Sequence, residues 1–542
     1  MNSPSSKEFA LPDALRASYY AAGYWRSEDL WTSFEAIAAK HSHATAFIEG
    51  DRSITFGELA TQAERFGRAA RARGLQDGDV LIVHGRHSIE AVVAILGCAY
   101  AKLVVALLPH MFSVEQIQGV IDSTNAKAIV GVGEPVEIDR TRAAAAAMRL
   151  ATIVVPDGMT GTGLESELAW SKFLSYGDQA STPRTAMSAD DLILLIFSSG
   201  TTGAPKGVMH SSNTARFAAE TYGRTQGIGP ADVNLVVTAF GFVGSSVLGV
   251  YLSFLCGCRT VLLRNWSVEE ALALIERRRV THFLLMPTHA IDILSSPKLD
   301  QTDCSSVSRG VVAGVSEAHR LDARRRLCAR PVPMYGMSES PGHVTGLMED
   351  DWENLRTTEG RCLPGAEILI CDADDQPVPV GEQGAILVRG PNRFLGYHGA
   401  VEPNRASLTA QGYFRTGDLG VMDADGYLTF VGRSKDIIRR GGLTILPSDV
   451  EAALRAHPRI SDVAVIGLPD PRLGERACAC VITRDRQDIS LAEITQFLER
   501  TAFPRYMWPE HVALCESFPR TPSLKVQKNE LRKHVLEQQP DT

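Results

Sequence analysis

The sequence predicts an α/β protein with a large N-terminal domain of mainly parallel, helix-covered sheets, a β-rich subdomain, and a small α+β C-terminal domain. Three observations predict it. The chain has 542 residues, more than one hydrophobic core usually supports. Short apolar runs alternate with amphipathic stretches over residues 30–190 and again after 205, the pattern of parallel strands covered by helices. Beyond about residue 360 the runs shorten and Gly/Pro/Asp turns multiply, and the chain after Gly432 carries apolar positions of its own.

In chain order, residues 31–40 and 56–73 have the spacing of amphipathic helices. Val80-Leu81-Ile82-Val83 and Leu103-Val104-Val105-Ala106-Leu107 are short buried strands. Residues 144–148 are alanine-rich and favour helix. Leu192-Ile193-Leu194-Leu195-Ile196-Phe197 is apolar throughout and reads as a buried strand. Strands follow at 235–238, 260–263 and 282–286, with a helix at 268–278 between the last two. The β-rich part has strands at 367–371, 385–389 and 427–431, with a turn at Asp425-Gly426. Helices at 447–456 and 491–501 and strands at 463–467 and 477–482 form the last domain. The boundary falls at Gly432–Asp436, giving domains 1–432 and 433–542.

Composition excludes several classes. With 44% apolar and 22% charged residues and a net charge of -8, the chain lacks the concentrated Lys and Arg that a nucleic-acid backbone needs. Arg277-Arg278-Arg279 and Arg324-Arg325-Arg326 read as solvated helix faces. No apolar run is long enough to span a membrane, and residues 1–12 lack the basic-then-apolar order of a secretion signal. The ten cysteines have no zinc-ligand spacing. Cys256-Gly257-Cys258 and Cys478-Ala479-Cys480 lie in strand-like runs, so each pair is expected on one strand face. Reduced thiols in a cytoplasmic protein are the resulting expectation.

The chemistry concentrates in Ser198-Ser199-Gly200-Thr201-Thr202-Gly203-Ala204-Pro205-Lys206-Gly207. A strand running into a glycine-rich turn offers free backbone N–H groups, hydroxyls add donors, and Lys206 adds charge, which together suit a polyphosphate. It is not a Walker loop, because Gly207 follows the lysine where that motif needs Ser or Thr.

This segment resembles the signature loop of the acyl-adenylate-forming superfamily, which includes acyl-CoA synthetases, aryl acid–AMP ligases and luciferases. Further matches follow in the family's order: Tyr335-Gly336-Met337-Ser338-Glu339, Tyr413-Phe414-Arg415-Thr416-Gly417-Asp418, Gly432-Arg433-Ser434-Lys435-Asp436, Gly441-Gly442 and Pro522-Ser523-Leu524-Lys525. They run from about residue 30 to about 535, nearly the whole chain. The resemblance implies a two-step reaction. A carboxylate attacks the α-phosphate of ATP, giving an acyl adenylate and pyrophosphate, and a thiol then displaces AMP.

It also implies roles. Ser198, Ser199, Gly200, Thr201, Thr202, Gly203 and Lys206 would cradle the phosphates, and Glu339 with Thr202 would hold Mg2+. Gly314, Tyr335, Gly336 and Ser338 would border the nucleotide, with Tyr335 on adenine. Asp418 would accept both ribose hydroxyls, and Arg433 would lie near ribose and phosphate. Lys525 would reach the carboxylate and α-phosphate; Leu524 stands before it where the family usually has glycine. The C-terminal domain would be mobile, rotating about Lys435 so that Gly441 and Gly442 line the thiol tunnel. Phe217, Phe242, Val312, Met334, Gly336 and Gly342 are the expected acyl-pocket wall. Phe242 falls where many acyl-CoA synthetases have a histidine, and Gly241 is the nearest counterpart of the aspartate that grips an amino-acid ammonium. The substrate is therefore expected to be an apolar aryl, alicyclic or short-to-medium aliphatic acid rather than an amino acid.

The expected acceptor is CoA, with the phosphopantetheine of a separate carrier protein as the alternative. Leu473 and Met507 stand where some CoA ligases have tryptophan and lysine. Monomer and homodimer both remain open. A non-catalytic nucleotide binder on the same scaffold is the rival of another class. The joint presence of Lys206, Glu339, Asp418, Arg433 and Lys525 argues against it.

Overall fold

The structure, a computed structural model, describes residues 11–159, 166–180, 184, 186–198, 205–441, 443–520 and 526–538. The chain divides into two compact units, Met1–Ile368 with Val388–Phe414, and Leu369–Leu387 with Arg415–Thr542.

The large unit contains two principal sheets. One has seven strands in the order Pro331–Val332, Gly310–Val312, His282–Leu285, Val233–Val236, Arg259–Leu262, Thr45–Glu49, Arg52–Thr55. All neighbours are parallel except the last pair. The other has eight strands in the order Gly396–Tyr397, Lys206–Ser211, Leu192–Ser198, Val104–Pro109, Val80–Gly85, Ala128–Val132, Thr152–Val155, Glu167–Ala169. It is parallel from Leu192–Ser198 onward, and its first two strands join antiparallel.

Alternation along the strands separates three cores. Leu81, Val83, Val105, Leu107 and Ile196 face a central core that also takes Phe47, Val236, Leu284 and Val311 from the other sheet. The helices Leu30–Lys40, Phe56–Ala72, Ile89–Tyr100 and Ser212–Thr225 fill this layer. The intervening residues Val80, Ile82, Val104, Ala106 and Leu195 face an outer core under Val114–Thr124 and Pro135–Ala147. Leu235, Val261, Phe283, Leu285 and Val312 face another, under Val268–Arg278 and Pro287–Leu294. Strands covered on both faces have no polar side to show, which is why they read as continuous apolar runs.

A three-stranded antiparallel sheet, Met334–Met337, Ser340–Thr345 and Arg361–Cys362, carries the Tyr335–Glu339 motif. Gly360 lets the third strand approach it. Its φ is +94°, and a Cβ there would lie 2.3 Å from the Thr345 carbonyl.

The small unit is built on a five-stranded sheet in which Gly474–Thr483 pairs with Ile460–Asp470, with Ile438–Arg440 and, in parallel, with His511–Leu514. Val463, Val465, Ala477, Ala479 and Val481 face the helices Pro447–Arg455 and Leu491–Arg500. Ala464, Ile466, Cys478 and Cys480 face Lys528–Gln538. A four-stranded sheet, Glu367–Cys371, Gln383–Arg389, Phe414–Met422 and Leu428–Arg433, lies mostly in this unit. Residues 432–436 fall inside the small unit, where the Ser448 hydroxyl donates to the Val431 carbonyl at 2.9 Å.

One cysteine expectation is corrected. Cys478 and Cys480 share a strand face, but Cys256 ends the helix Tyr251–Cys256, and Gly257 (φ +71°) turns the chain before Cys258. The apolar run there is a buried helix end, which periodicity cannot distinguish from a strand over so short a stretch. All ten cysteines are free thiols. Among the described residues, no helix is long and apolar enough to cross a membrane.

Gly360→Ala should destabilise the large unit by about 2–4 kcal/mol, combining overpacking with a disfavoured φ. Five of the six tryptophans lie in that unit, so fluorescence during urea unfolding reports on it. Gly50→Ala, with φ +57° but nothing within 4 Å of its Cβ, should cost only about 1 kcal/mol.

Candidate active site

Lys206 opens a strand rather than a helix. Leu192–Ser198 and Lys206–Ser211 are antiparallel neighbours with Ser198 opposite Lys206, so the glycine-rich segment joins two paired strands. Of the expected cradle, Ser199, Gly200, Thr201, Thr202 and Gly203 lie outside the described residues. Gly207 is glycine because a Cβ there would meet the Phe197 ring at 3.2 Å and His398 Cβ at 3.3 Å. A cavity of about 290 Å³ opens beside Lys206, lined by Ser123, Phe197, Pro205 and Ala400 among others.

The Tyr335–Glu339 motif is brought to this lysine strand. Met337 pairs with Ser340, so Ser338 and Glu339 form the hairpin turn. His210 Nε2 donates to the Ser338 carbonyl at 2.8 Å, and the Phe394 amide donates to the Glu339 carbonyl at 2.8 Å. The Tyr397 hydroxyl donates to Glu339 Oε1 at 2.7 Å, while Lys206 Nζ lies 5.3 Å from the centroid of the same ring. Burial pushes the Tyr397 phenol far up and the Glu339 charge adds to it, so the proton stays on the tyrosine. Burial holds His210 down at about 4, against the opposing pull of the Ser338 carbonyl, so it is a neutral donor through Nε2.

Tyr397 and His210 were not singled out in the sequence. Their partners lie 58 and 128 residues away, and only folding joins them.

Three acyl-wall residues come together. Gly336 and Gly342 face each other across the hairpin, where a Cβ on Gly336 would lie 2.7 Å from the Gly342 nitrogen. A Cβ on Gly342 (φ +55°) would lie 3.3 Å from Leu248 and 3.7 Å from Met334 Cε. Leu248, also missed, sits on a π-helical turn, Ser246–Val250, within the helix that begins at Val243. Such turns recur at functional sites. Phe242 caps that helix, its carbonyl accepting from the amides of Ser245 and Ser246 at 3.1 and 2.9 Å.

One expected wall residue sits apart. Val312 belongs to the outer core with Leu285 and Phe283, because Val311 takes the inward position on that strand. Phe217 is buried edge-on against Tyr24, with ring centroids 5.4 Å apart. Gly241 has φ +92°, and a Cβ there would lie 2.8 Å from Pro109, so this position has no room for an aspartate.

Tyr335 is buried beside Gly336. Gly314 (φ +59°) follows the strand Gly310–Val312, and a Cβ there would lie 3.0 Å from Pro287.

In the small unit, Asp418 and Arg433 are cross-strand partners, with Arg433 Nε 3.2 Å from Asp418 Oδ1. The Asp418 side chain is buried and the guanidinium half-exposed. Lys435 is exposed in the following turn, where the Ser434 amide and hydroxyl both donate to the Gly417 carbonyl at 3.0 Å. Gly441 (φ +55°) donates to the Leu473 carbonyl at 2.7 Å. Gly442 and Lys525 lie outside the described residues.

These features fit an ATP-using acid-activating enzyme, and comparison with known proteins identifies that class. The AMP-binding enzyme family matches residues 34–398, and the AMP-binding enzyme C-terminal domain matches 449–525. The medium-chain fatty-acid–CoA ligase of Escherichia coli K12 is 30% identical over 531 residues, covering 96% of this chain and 93% of the relative. The 2,3-dihydroxybenzoate–AMP ligase of Bacillus subtilis 168 is 30% identical over 543 residues, covering 97% of both. The ATP-bound crystal structure of MatB from Rhodopseudomonas palustris superposes with a TM-score of 0.83 at 25% identity, covering 94% of this chain and 99% of that one. The chain belongs to the AMP-binding enzyme family, the acyl-adenylate-forming superfamily.

Acid stability follows from the buried histidines. Burial holds His87, His210, His289 and His343 at about 4 and His84 and His282 at about 3, below the 6.5 of an exposed ring. Between pH 6.5 and 4 the unfolded chain binds more protons than the folded one. The stability these groups contribute is thus complete above pH 6.5 and falls as pH drops towards 4. His210→Asn should unfold with a pH slope shallower by one proton in that window, measured from urea midpoints. An unchanged slope would show that His210 is not held neutral.

Proposed function

We propose that this enzyme activates an apolar carboxylic acid with ATP and Mg2+ as an acyl adenylate and passes the acyl group to CoA. The observation that carries the reading is the convergence of Lys206 and Glu339 on Tyr397. It sets a cation and a carboxylate on one ring at the start of the strand Lys206–Ser211. Glu339 fits a hard divalent ion, since it offers carboxylate oxygens and Tyr397 occupies only one of them. Bound with ATP, Mg2+ would neutralise phosphate charge and polarise the phosphoryl oxygens.

In the first step a carboxylate oxygen attacks the α-phosphorus, the α–β bridging bond breaks, and pyrophosphate leaves with the electron pair. Negative charge gathers on the phosphoryl oxygens, so fixed cations and N–H donors matter more than a base. Lys206 and the loop Ser198–Gly203 would bind the departing phosphates, and Lys525 would meet the carboxylate and α-phosphate. Gly314, Tyr335, Gly336 and Ser338 would border adenine, and Asp418 with Arg433 would hold the ribose. In the second step a thiol attacks the acyl carbonyl and AMP leaves. For that step the body 433–542 would turn about Lys435 against 1–432, bringing Gly441 and Gly442 to the thiol path.

The Gly336–Gly342–Met334–Leu248 wall supports an apolar acid, and Gly241, unable to carry a carboxylate, counts against an amino acid. A carrier protein as acceptor is the second reading. The apolar Leu473 and Met507, and the likeness to an AMP ligase, favour it. Offering CoA and a holo carrier protein separately to preformed acyl adenylate, and following AMP release, decides between them.

Lys525→Ala should lower adenylation by about 10²–10³ while sparing thioester formation from supplied acyl adenylate. Single-turnover assays of each half-reaction separate the two, and equal losses would contradict the assignment. Asp418→Ala should weaken ATP binding through loss of two charge-assisted hydrogen bonds, about 1.5–3 kcal/mol each. If the wild type binds 2′,3′-dideoxy-ATP as well as ATP, Asp418 does not read the diol. Gly441→Leu should keep acid-dependent pyrophosphate exchange but transfer the acyl group to the thiol at least tenfold more slowly. A wild-type transfer rate would remove Gly441 from the tunnel.

A further inference from the structure

We propose that Tyr397, held in place by Asn404, is a positioning residue that presents the Glu339 carboxylate to the divalent cation accompanying ATP. The inference rests on the acid-activation reading above and extends it to residues no motif assigned.

Gly396–Tyr397 is a strand of two residues at the edge of its sheet, too short to hold a side chain by ladder bonds alone. Asn404, buried in the helix Val401–Ser407, supplies what is missing. Its Oδ1 accepts from the Tyr397 amide at 2.6 Å, and its Nδ2 donates to the Tyr397 carbonyl at 2.9 Å. One side-chain amide thus satisfies both backbone groups of one residue, as a further strand would. On the other edge, Tyr397 pairs with Val208, and the His398 amide donates to the Gly207 carbonyl at 2.8 Å. The ring packs edge-on against Phe394, with centroids 4.9 Å apart. The Phe394 amide in turn donates to the Glu339 carbonyl.

The phenol is therefore fixed by packing and backbone, and Glu339 is fixed by the phenol. An ionised carboxylate is an acceptor at both oxygens and pivots about its last torsion unless one oxygen is engaged. With Oε1 taken by the Tyr397 hydroxyl at 2.7 Å, the plane of the carboxylate is set and Oε2 has a defined direction. A small divalent ion with strict geometric demands gains from that order. The same ring lies under the Lys206 ammonium at 5.3 Å, so one side chain contacts both the cation and the carboxylate.

Tyr397→Phe tests this, because it keeps the ring, the Phe394 contact, the Lys206 contact and the Asn404 pair and removes only the hydroxyl. Mn2+ serves as the probe, its binding to the protein–ATP complex read by electron paramagnetic resonance. The variant should bind Mn2+ about tenfold more weakly, within the range found when a ligand's hydrogen-bond partner is removed. ATP affinity measured in EDTA should stay within twofold of the wild type, and the melting temperature should be unchanged. Asn404→Ala should shift Mn2+ affinity in the same direction by releasing Tyr397. In pyrophosphate exchange, Tyr397→Phe should raise the Mg2+ concentration for half-activity and leave the acid KM unaltered.

Unchanged Mn2+ binding in Tyr397→Phe overturns the proposal. So does an equal loss of ATP affinity with and without the metal, which would make Tyr397 a general support of the site. The Mn2+ titration needs no acid substrate. If no acid supports exchange in the wild type yet the titration shifts, the acid-activation reading fails and the positioning role stands. If exchange proceeds and the titration does not shift, the reverse holds.

Discussion

The strand Lys206–Ser211 is the constraint on which the large unit's site depends. It is paired along both edges, to Leu192–Ser198 on one side and to Gly396–Tyr397 on the other. His210 ties it to the turn that carries Glu339. A cation at the start of a doubly paired strand cannot wander as a loop lysine does. The charge that would face the phosphates is thus placed by backbone hydrogen bonds, and its reorganisation is limited before any substrate arrives. The antiparallel return is what makes this possible. A parallel strand would need a long crossover, whereas a hairpin brings Lys206 back beside Ser198 at once.

The residues around that strand divide into two charged groups and the side chains that hold them. Lys206 and Glu339 are partly exposed and meet at one aromatic ring. His210, Tyr397, Asn404 and Phe394 are buried and spend their hydrogen bonds and contacts on orienting the first pair. Burial keeps His210 neutral and Tyr397 protonated, so each is a donor under ordinary conditions. In the small unit the same economy recurs on a smaller scale. Asp418 is anchored by its cross-strand partner Arg433 at one oxygen. The expected acyl wall follows a different logic, in which Gly336 and Gly342 let two backbone segments approach closely beside Leu248 and Met334.

Much of the scaffold was legible in the sequence because its signals are local. Val268–Arg278 and Glu367–Cys371 have the predicted bounds, and Leu192–Phe197 is the expected strand extended by one residue. Apolar runs and helical spacing suffice where an element is buried in one consistent way. The failures share the opposite cause. Cys256–Cys258 straddles a helix end and a turn, where a short apolar run has no period to read. Val312, expected in the acyl wall, lies in an outer core, because which face of a strand a residue takes depends on its neighbours in the sheet. His210, Leu248, Tyr397 and Asn404 carry no motif, and their meaning comes from partners that only the fold supplies.

The chemistry proposed for this enzyme requires a carboxylate to attack the α-phosphorus of ATP. Isotope transfer tests that directly. An acid found to support turnover is labelled with 18O in both carboxylate oxygens and incubated with ATP, Mg2+ and the thiol acceptor, and the AMP is examined by mass spectrometry. Attack at the α-phosphorus predicts one 18O in the phosphate of AMP and none in pyrophosphate. Label in inorganic phosphate or pyrophosphate, or unlabelled AMP released in step with thioester, would contradict it.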